Sequence, residues 1–392
     1  MKLKLDLSKE YGIVLEGGGA KGAYQIGAWK ALKEAGIKIK GISGTSVGAL
    51  NGGLICMDNL EKAIEVWENI SYSQVMSVED QWMEGIIKRD YTNLSAMEIM
   101  KNSLLYLSNG GIDVTPLRTL ISDHIDEDKL KSGKPEFYFQ TFSVTELKEL
   151  DIDATQVEDG QMIDMLLASA YFPVFKKEKI SGNMLIDGGM FNNVPIDALI
   201  KRGYEDIISI RIYGIGLEKK VKIPEATTVY EIAPRVDLGN ILEFDSEKSK
   251  RNIKIGYLDA RRLLYGLVGT IYYIYSEKDE TDYLKYFATL GKDQFFSEEG
   301  SPYRHLFEWY LPGLASDFKL GNNWNYKDLY IALLEASAKL LKIQKYKVYT
   351  DEELLSEIVE KWNRLNKEKQ DELPDFVEKA VMIETMTKGL KN

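Results

Sequence analysis

The pentapeptide Gly44-Thr45-Ser46-Val47-Gly48 has the G-x-S-x-G spacing that sets a serine on a tight strand-to-helix turn with its hydroxyl exposed. A serine there does nucleophilic chemistry once another group takes its proton, and histidine is the usual acceptor. The chain has only two histidines. His124, in LISDHIDEDKL, reads as part of an exposed acidic helix end, and His305, in SPYRHLFEWY, lies in a helical stretch far down the chain. Neither is placed like a triad histidine, although triads are defined by geometry and a fold could bring His305 across.

Two further clusters carry chemistry. Gly17 to Gly22, GGGAKG, fits the G-x-G-x-x-G dinucleotide fingerprint after a strand. That use calls for an acidic residue near the end of the second strand to hold a ribose. The second strand, IKIKGIS, has none, and the serine turn occupies its end. The same glycines suit an oxyanion hole, because they admit close backbone approach and leave N–H groups free at a helix start. The other cluster is Asp187-Gly188-Gly189, which closes a short apolar run in MLIDGGMFNNVP. Asp-Gly readily forms an Asx turn. Beside the other two motifs, a third strand end bringing a carboxylate to the same edge favours a catalytic Asp187. Asn192 and Asn193 then hold the loop's shape.

The elements that must position these groups follow from the apolar pattern. Strands are expected at Tyr11 to Glu16, Ile37 to Ser43, Phe137 to Val144, Met184 to Ile186 and Ile207 to Ile212. Helices are expected at Ala20 to Ala35, Val47 to Met57, Leu60 to Ile70, Ser95 to Leu107, Met162 to Ser169 and Ile196 to Arg202. Alternation of this kind with short connections implies parallel pairing and right-handed crossovers. The expected fold is a three-layer α/β/α arrangement with a mainly parallel sheet, ending near residue 213. Beyond Gly214 a polar, proline-containing stretch (LEKKVKIPEATT) reads as a linker, and residues 214–392 as a mostly helical C-terminal extension. Amphipathic runs there cover Leu329 to Leu341, Glu352 to Leu365 and Asp375 to Met386.

Composition bounds the partners. The 392 residues are 44% hydrophobic and 28% charged, with a formal net charge of −11. That balance argues against nucleic acid and against strong electrostatic docking on anionic lipid. The one cysteine, Cys56, falls in an apolar helix pattern and reads as core. No EF-hand loop or histidine-rich pattern points to a metal. The opening residues contain no apolar run of signal-peptide length, and Leu263 to Tyr275 is far shorter than the ~20 residues of a bilayer span. A cytoplasmic location is the simplest expectation.

Taken together, GGGAKG, GTSVG and DGG, in that order, resemble the patatin-like phospholipases over roughly residues 11 to 213; ASAYFPVF (168 to 175) resembles the segment that precedes the acid in that family. The resemblance implies a patatin-like α/β/α fold and hydrolysis of acyl esters of lipids by a Ser–Asp dyad without a catalytic histidine. The roles would fall on Ser46 as nucleophile, Asp187 as base, and the amides of Gly17, Gly18 and Gly19 as oxyanion donors. Gly22, Gly44, Gly48, Gly188 and Gly189 would support the turns, and Lys21 would stabilise its loop. No metal or cofactor is implied; the partner is a lipid or acyl-ester substrate, with peripheral contact with membranes or lipid aggregates. An apolar entrance is expected at Gln81 to Ile87, with Trp82, and in the helix from Leu94 to Leu107. The rival readings are an acyltransferase using the same dyad, and a non-catalytic nucleotide-binding or interaction module.

Overall fold

Tyr11 to Leu15 is an unbroken run without a polar side, and in the computed structural model it forms the middle of the sheet. The structure describes residues 1–88, 111–172, 175–176, 184–291 and 301–388. Strand β1 (Glu10–Leu15) is buried from Tyr11 onward and has parallel partners on both edges, β2 (Lys38–Thr45) and β6 (Asp206–Ile210). A strand paired on both edges and covered on both faces has no solvent side to mark with polar residues, hence the continuous apolar run.

The seven-stranded sheet has the order β4–β3–β2–β1–β6–β7, with β5 attached to β3. Here β3 is Glu136–Ser143, β4 Lys148–Asp153, β5 Leu185–Asp187 and β7 Thr228–Ile232. β1, β2, β3, β6 and β7 are parallel, while β4 and β5 run antiparallel to β3. Helices flank this sheet, giving the α/β layering expected.

The direction of β5 departs from the expectation of parallel strand ends and explains the site. β2 pairs with β3 up to Thr45 opposite Gln140. The next residues of β3, Thr141 to Ser143, pair with Asp187 back to Leu185. With β4 on the other edge of β3, β2 and β5 share one edge and meet head-on. Ser46 thus leaves the top of one strand where Asp187 arrives at the bottom of the other.

By packing, the chain divides into Leu3–Leu264 and a second unit of Tyr265–Asn392 with Met1–Lys2. Residues 214–264, assigned to the extension by composition, are built into the first unit. The polar stretch there joins two neighbouring parallel strands, β6 and β7, and is not a linker between domains. The helix Ser246–Tyr265 is tied back by Asp259, whose Oδ2 accepts from the buried Tyr24 hydroxyl at 2.9 Å.

The second unit is mainly helical, with a small parallel pair, Tyr273–Tyr275 and Val348–Thr350. Helices Tyr326–Leu340, Asp351–Asn363 and Asp375–Lys388 follow the expected amphipathic runs and enclose a core rich in tyrosine, including Tyr283, Tyr330 and Tyr349. Among the described residues no helix is long and apolar enough to cross a membrane. The expected entrance is described only through its first helix, Asp80–Lys88; residues 89–110 and the Trp82 side chain lie outside the described residues.

Candidate active site

Ser46 sits between β2 and the helix α1 (Val47–Cys56) with φ 54° and ψ −128°. This region is avoided by residues with a side chain and carries strain of order ~1–3 kcal/mol. The turn closes only because α1 can press against the sheet: a Cβ on Gly48 would lie 2.2 Å from Leu15 O. Ser46 N–H donates to Ser169 Oγ at 3.0 Å, and that hydroxyl donates to Gln140 O at 2.6 Å. A buried serine on a neighbouring element thereby fixes the turn.

The head-on strand ends bring the Ser46 hydroxyl to Asp187, donating to Oδ2 at 2.6 Å. The other carboxylate oxygen accepts from Gly189 N–H at 2.7 Å. Ser46 is 6% exposed and Asp187 3%. Burial raises the Asp187 carboxyl from 3.8 to about 6, with the Ser46 and Gly189 hydrogen bonds offsetting only part of the desolvation. A carboxylate with that affinity for protons is a far better general base near neutrality than an ordinary aspartate.

The glycine loop follows β1 on the same edge. Gly17 N–H is already engaged, donating to Asn193 O at 3.1 Å, so its amide is not a free oxyanion donor. No described residue accepts from Gly18 or Gly19 N–H. Gly19 has φ +55°, and a Cβ there would meet Ile241 O at 2.1 Å. Those two amides are what the loop offers a developing negative charge. Lys21 Nζ donates to Tyr213 O at 2.8 Å, and Gly22 opens the following helix, Ala23–Glu34.

The anchor of this loop is Glu16, which sequence reasoning missed. Its buried carboxylate accepts from the backbone N–H groups of Ile212 (2.7 Å), Tyr213 (3.0 Å) and Gly214 (3.2 Å), and from Arg211 Nε at 3.0 Å. Asn193 joins in: its Nδ2 donates to Gly17 O at 3.1 Å and to Glu16 Oε1 at 3.3 Å. Asn192 braces the elbow, its carbonyl accepting from Thr45 Oγ1 at 2.9 Å. Segment 211–217 is therefore a strap across the glycine loop and the Asp187 turn.

Beside Ser46 opens an apolar cavity with about 880 Å³ of empty space, part of it open to solvent. Gly19, Leu50, Leu54, Trp67, Phe175 and Phe244 contribute to its wall. His124 lines it too, contrary to the exposed helix end expected. Helix Thr115–His124 turns Leu117, Leu120, Ile121 and His124 toward the cavity, the i, i+3, i+4, i+7 stripe of an amphipathic helix. That period was present in the sequence but obscured by the acidic residues after it. The His124 ring bonds through Nδ1 to Leu120 O at 2.9 Å, not to Ser46 or Asp187. His305 belongs to the second unit. Cys56 is buried, and desolvation pushes its thiol well up, out of reach of nucleophilic chemistry.

Residues 13–200, just under half of the chain, match the family model of patatin-like phospholipases. Among curated relatives, "Patatin-like phospholipase domain-containing protein 7" of Mus musculus is 29% identical over 205 residues, which are 51% of this chain and 13% of the mouse protein. "Probable lipid hydrolase 463L" of Invertebrate iridescent virus 6 is 29% identical over 196 residues, 48% of this chain and 63% of the viral one. Among solved structures, VipD from Legionella pneumophila shares 14% identity, with a TM-score of 0.38 over 96% of this chain and 90% of its own, a likeness too loose to argue from. The matched region thus spans about an eighth of the mouse relative's length and under two thirds of the viral one's.

Proposed function

We propose that this chain is a serine lipid acyl hydrolase that cleaves fatty-acyl esters of phospholipids or related lipids through a Ser46–Asp187 dyad and an acyl-enzyme. The observation that carries this is the 2.6 Å contact from Ser46 Oγ to a buried, proton-avid Asp187 at the mouth of an apolar cavity. The names and family of its relatives support the same substrate class.

The acyl chain lies in the cavity with its ester carbonyl over Ser46. Oγ attacks the carbonyl carbon while its proton passes to Asp187, and the carbonyl oxygen takes up negative charge facing the Gly18 and Gly19 amides. Collapse of this intermediate breaks the ester C–O bond, and Asp187 returns the proton to the departing alcohol. A water then gives a proton to Asp187 as it attacks the acyl-enzyme, and Ser46 leaves with that proton as the fatty acid is released.

The test is to incubate the pure chain with a mixed lipid extract, with and without an added alcohol or lysolipid acceptor, and identify products by mass spectrometry. Free fatty acid and the complementary lysolipid or alcohol, absent with Ser46→Ala, are expected. Acyl transfer to the acceptor without free acid would make it a transacylase; no product in either arm would overturn the reading.

A further inference from the structure

Five of the large apolar side chains exposed on the first unit lie on loops at one edge of the sheet. Tyr213 is 53% exposed, Ile215 73% and Leu217 63%, all on the strap after β6, and Met190 protrudes from the turn after Asp187. The two segments are bonded together: Leu217 N–H donates to Gly189 O at 2.9 Å, and Leu217 O accepts from Asn193 N–H at 2.8 Å. Leu147, 77% exposed, stands in the β3–β4 turn. Lys219 spans from the strap to β4, its Nζ 2.7 Å from Glu149 Oε2. A lone exposed leucine is ordinary. Five such side chains along the edge that carries the catalytic pair form a surface.

The strap is held outward by design of its backbone. Glu16 gathers three consecutive amides beneath it, so the side chains of Tyr213 and Ile215 have the solvent side left to them. Charge then selects the occupant. The chain as a whole carries −11, and on the strap Arg211 is paired with Glu16 and Glu218 and Lys219 with Glu149 and Asp197, so the cations this segment turns to solvent are Lys220 and Lys222. Lys220 and Lys222 are exposed. Apolar tips backed by lysines are the chemistry of a lipid interface, where aliphatic groups enter the acyl boundary and ammonium groups meet phosphate.

We propose that this edge, the strap 213–217 with Met190 and Leu147 and the lysines behind it, docks on an anionic lipid surface and sets the active site against the aggregate. The proposal rests on the lipid-hydrolase reading and adds the place of contact and the sign of the surface. It also changes the expectation drawn from net charge: repulsion by the whole chain is answered locally.

The test is co-sedimentation of the full chain carrying Ser46→Ala, so that no lipid is consumed, with vesicles of phosphatidylcholine alone and with phosphatidylglycerol added. Binding should rise with phosphatidylglycerol. Ile215→Asp should lower partitioning at least ~10-fold, as expected for losing one aliphatic insertion. Lys220→Gln with Lys222→Gln should remove the dependence on phosphatidylglycerol. In the chain with Ser46 intact, Leu147→Asp, in the β3–β4 turn outside the strap, should lower hydrolysis of vesicle lipid and keep parental turnover of a soluble short-chain ester. Vesicle binding untouched by these changes, or an equal loss on the soluble ester, overturns the proposal. Fluorophosphonate labelling of the Ser46 chain keeps the two readings apart. Labelling without vesicle binding removes the docking surface and leaves the hydrolase, whereas vesicle binding without labelling removes the hydrolase.

Discussion

Replacing Asp187 by asparagine should make the protein more stable and nearly inactive at once. The carboxyl is 3% exposed, and burial raises it from 3.8 to about 6. A shift of about two units corresponds to ~3 kcal/mol between the two protonation states. Because the folded value lies above the unfolded one, folding favours the protonated form. The penalty is absent below about 3.8, grows as pH rises, and is complete above about 6. At pH 7.5 the parent therefore carries the whole penalty, and a neutral amide carries none. Asparagine can keep both contacts, accepting from Gly189 N–H through Oδ1 and donating to Ser46 Oγ through Nδ2. The expected gain is up to ~3 kcal/mol at pH 7.5, several degrees in Tm for a unit of this size. It should shrink to about a third of that, ~1 kcal/mol, near pH 4.5. Other carboxylates titrate in both proteins, so thermal unfolding of variant minus parent at the two pH values is the quantity to measure. Ester hydrolysis should fall by ~10²–10⁴-fold, the usual worth of a general base. A variant that is less stable than the parent by the same amount at both pH values would refute the buried, proton-avid carboxylate, and retained turnover would refute its role as base.

Three further outcomes follow from the same geometry. His124→Gln with His305→Gln should leave hydrolysis of a soluble ester within a few-fold of the parent, and the acid limb of kcat/KM near pH 6 should persist, because it belongs to Asp187; loss of that limb would assign it to a histidine. Leu54 lies two helical turns, ~11 Å, beyond Ser46 along α1 and lines the cavity; Leu54→Trp should shift the preferred acyl length downward in a chain-length series while sparing an acetyl ester. Glu16→Gln should lower kcat more than it raises KM, since the strap and glycine loop lose a buried ionic anchor, and should destabilise the fold by ~1–3 kcal/mol in denaturant titration.

How much of this was legible in the sequence depended on whether the determinant was local. The elbow is written within five residues because only glycines at 44 and 48 allow the helix to crowd the strand. Tyr11 to Leu15 reads as a central strand because burial on both faces leaves no alternation to misread. Asp187 could be named, but not the direction of its strand: β5 has three residues, too few for a pattern, and its register is set by the free upper edge of β3. Glu16 gave no signal, because its partners are backbone amides nearly two hundred residues away. The stretch after the strap, LEKKVKIPEATT, read as a linker because lysines and a proline look alike whether a segment is solvated or joins two packed strands, and the strap itself gave no signal. In the folded chain a Cβ on Gly214 would fall 1.8 Å from Gly17 O. His124 was misjudged by weighing the acidic residues that follow it above the stripe that precedes it.

The central claim, that Ser46 is a nucleophile activated by a buried carboxylate, is tested most directly by fluorophosphonate labelling of the pure chain followed by peptide mapping of the adduct. A single adduct on Ser46 is expected, formed at parental rate in the double-histidine variant and suppressed in Asp187→Asn. An adduct on Ser43 or Ser169, or labelling of Ser46 that survives loss of Asp187 and disappears with the histidines, would contradict it.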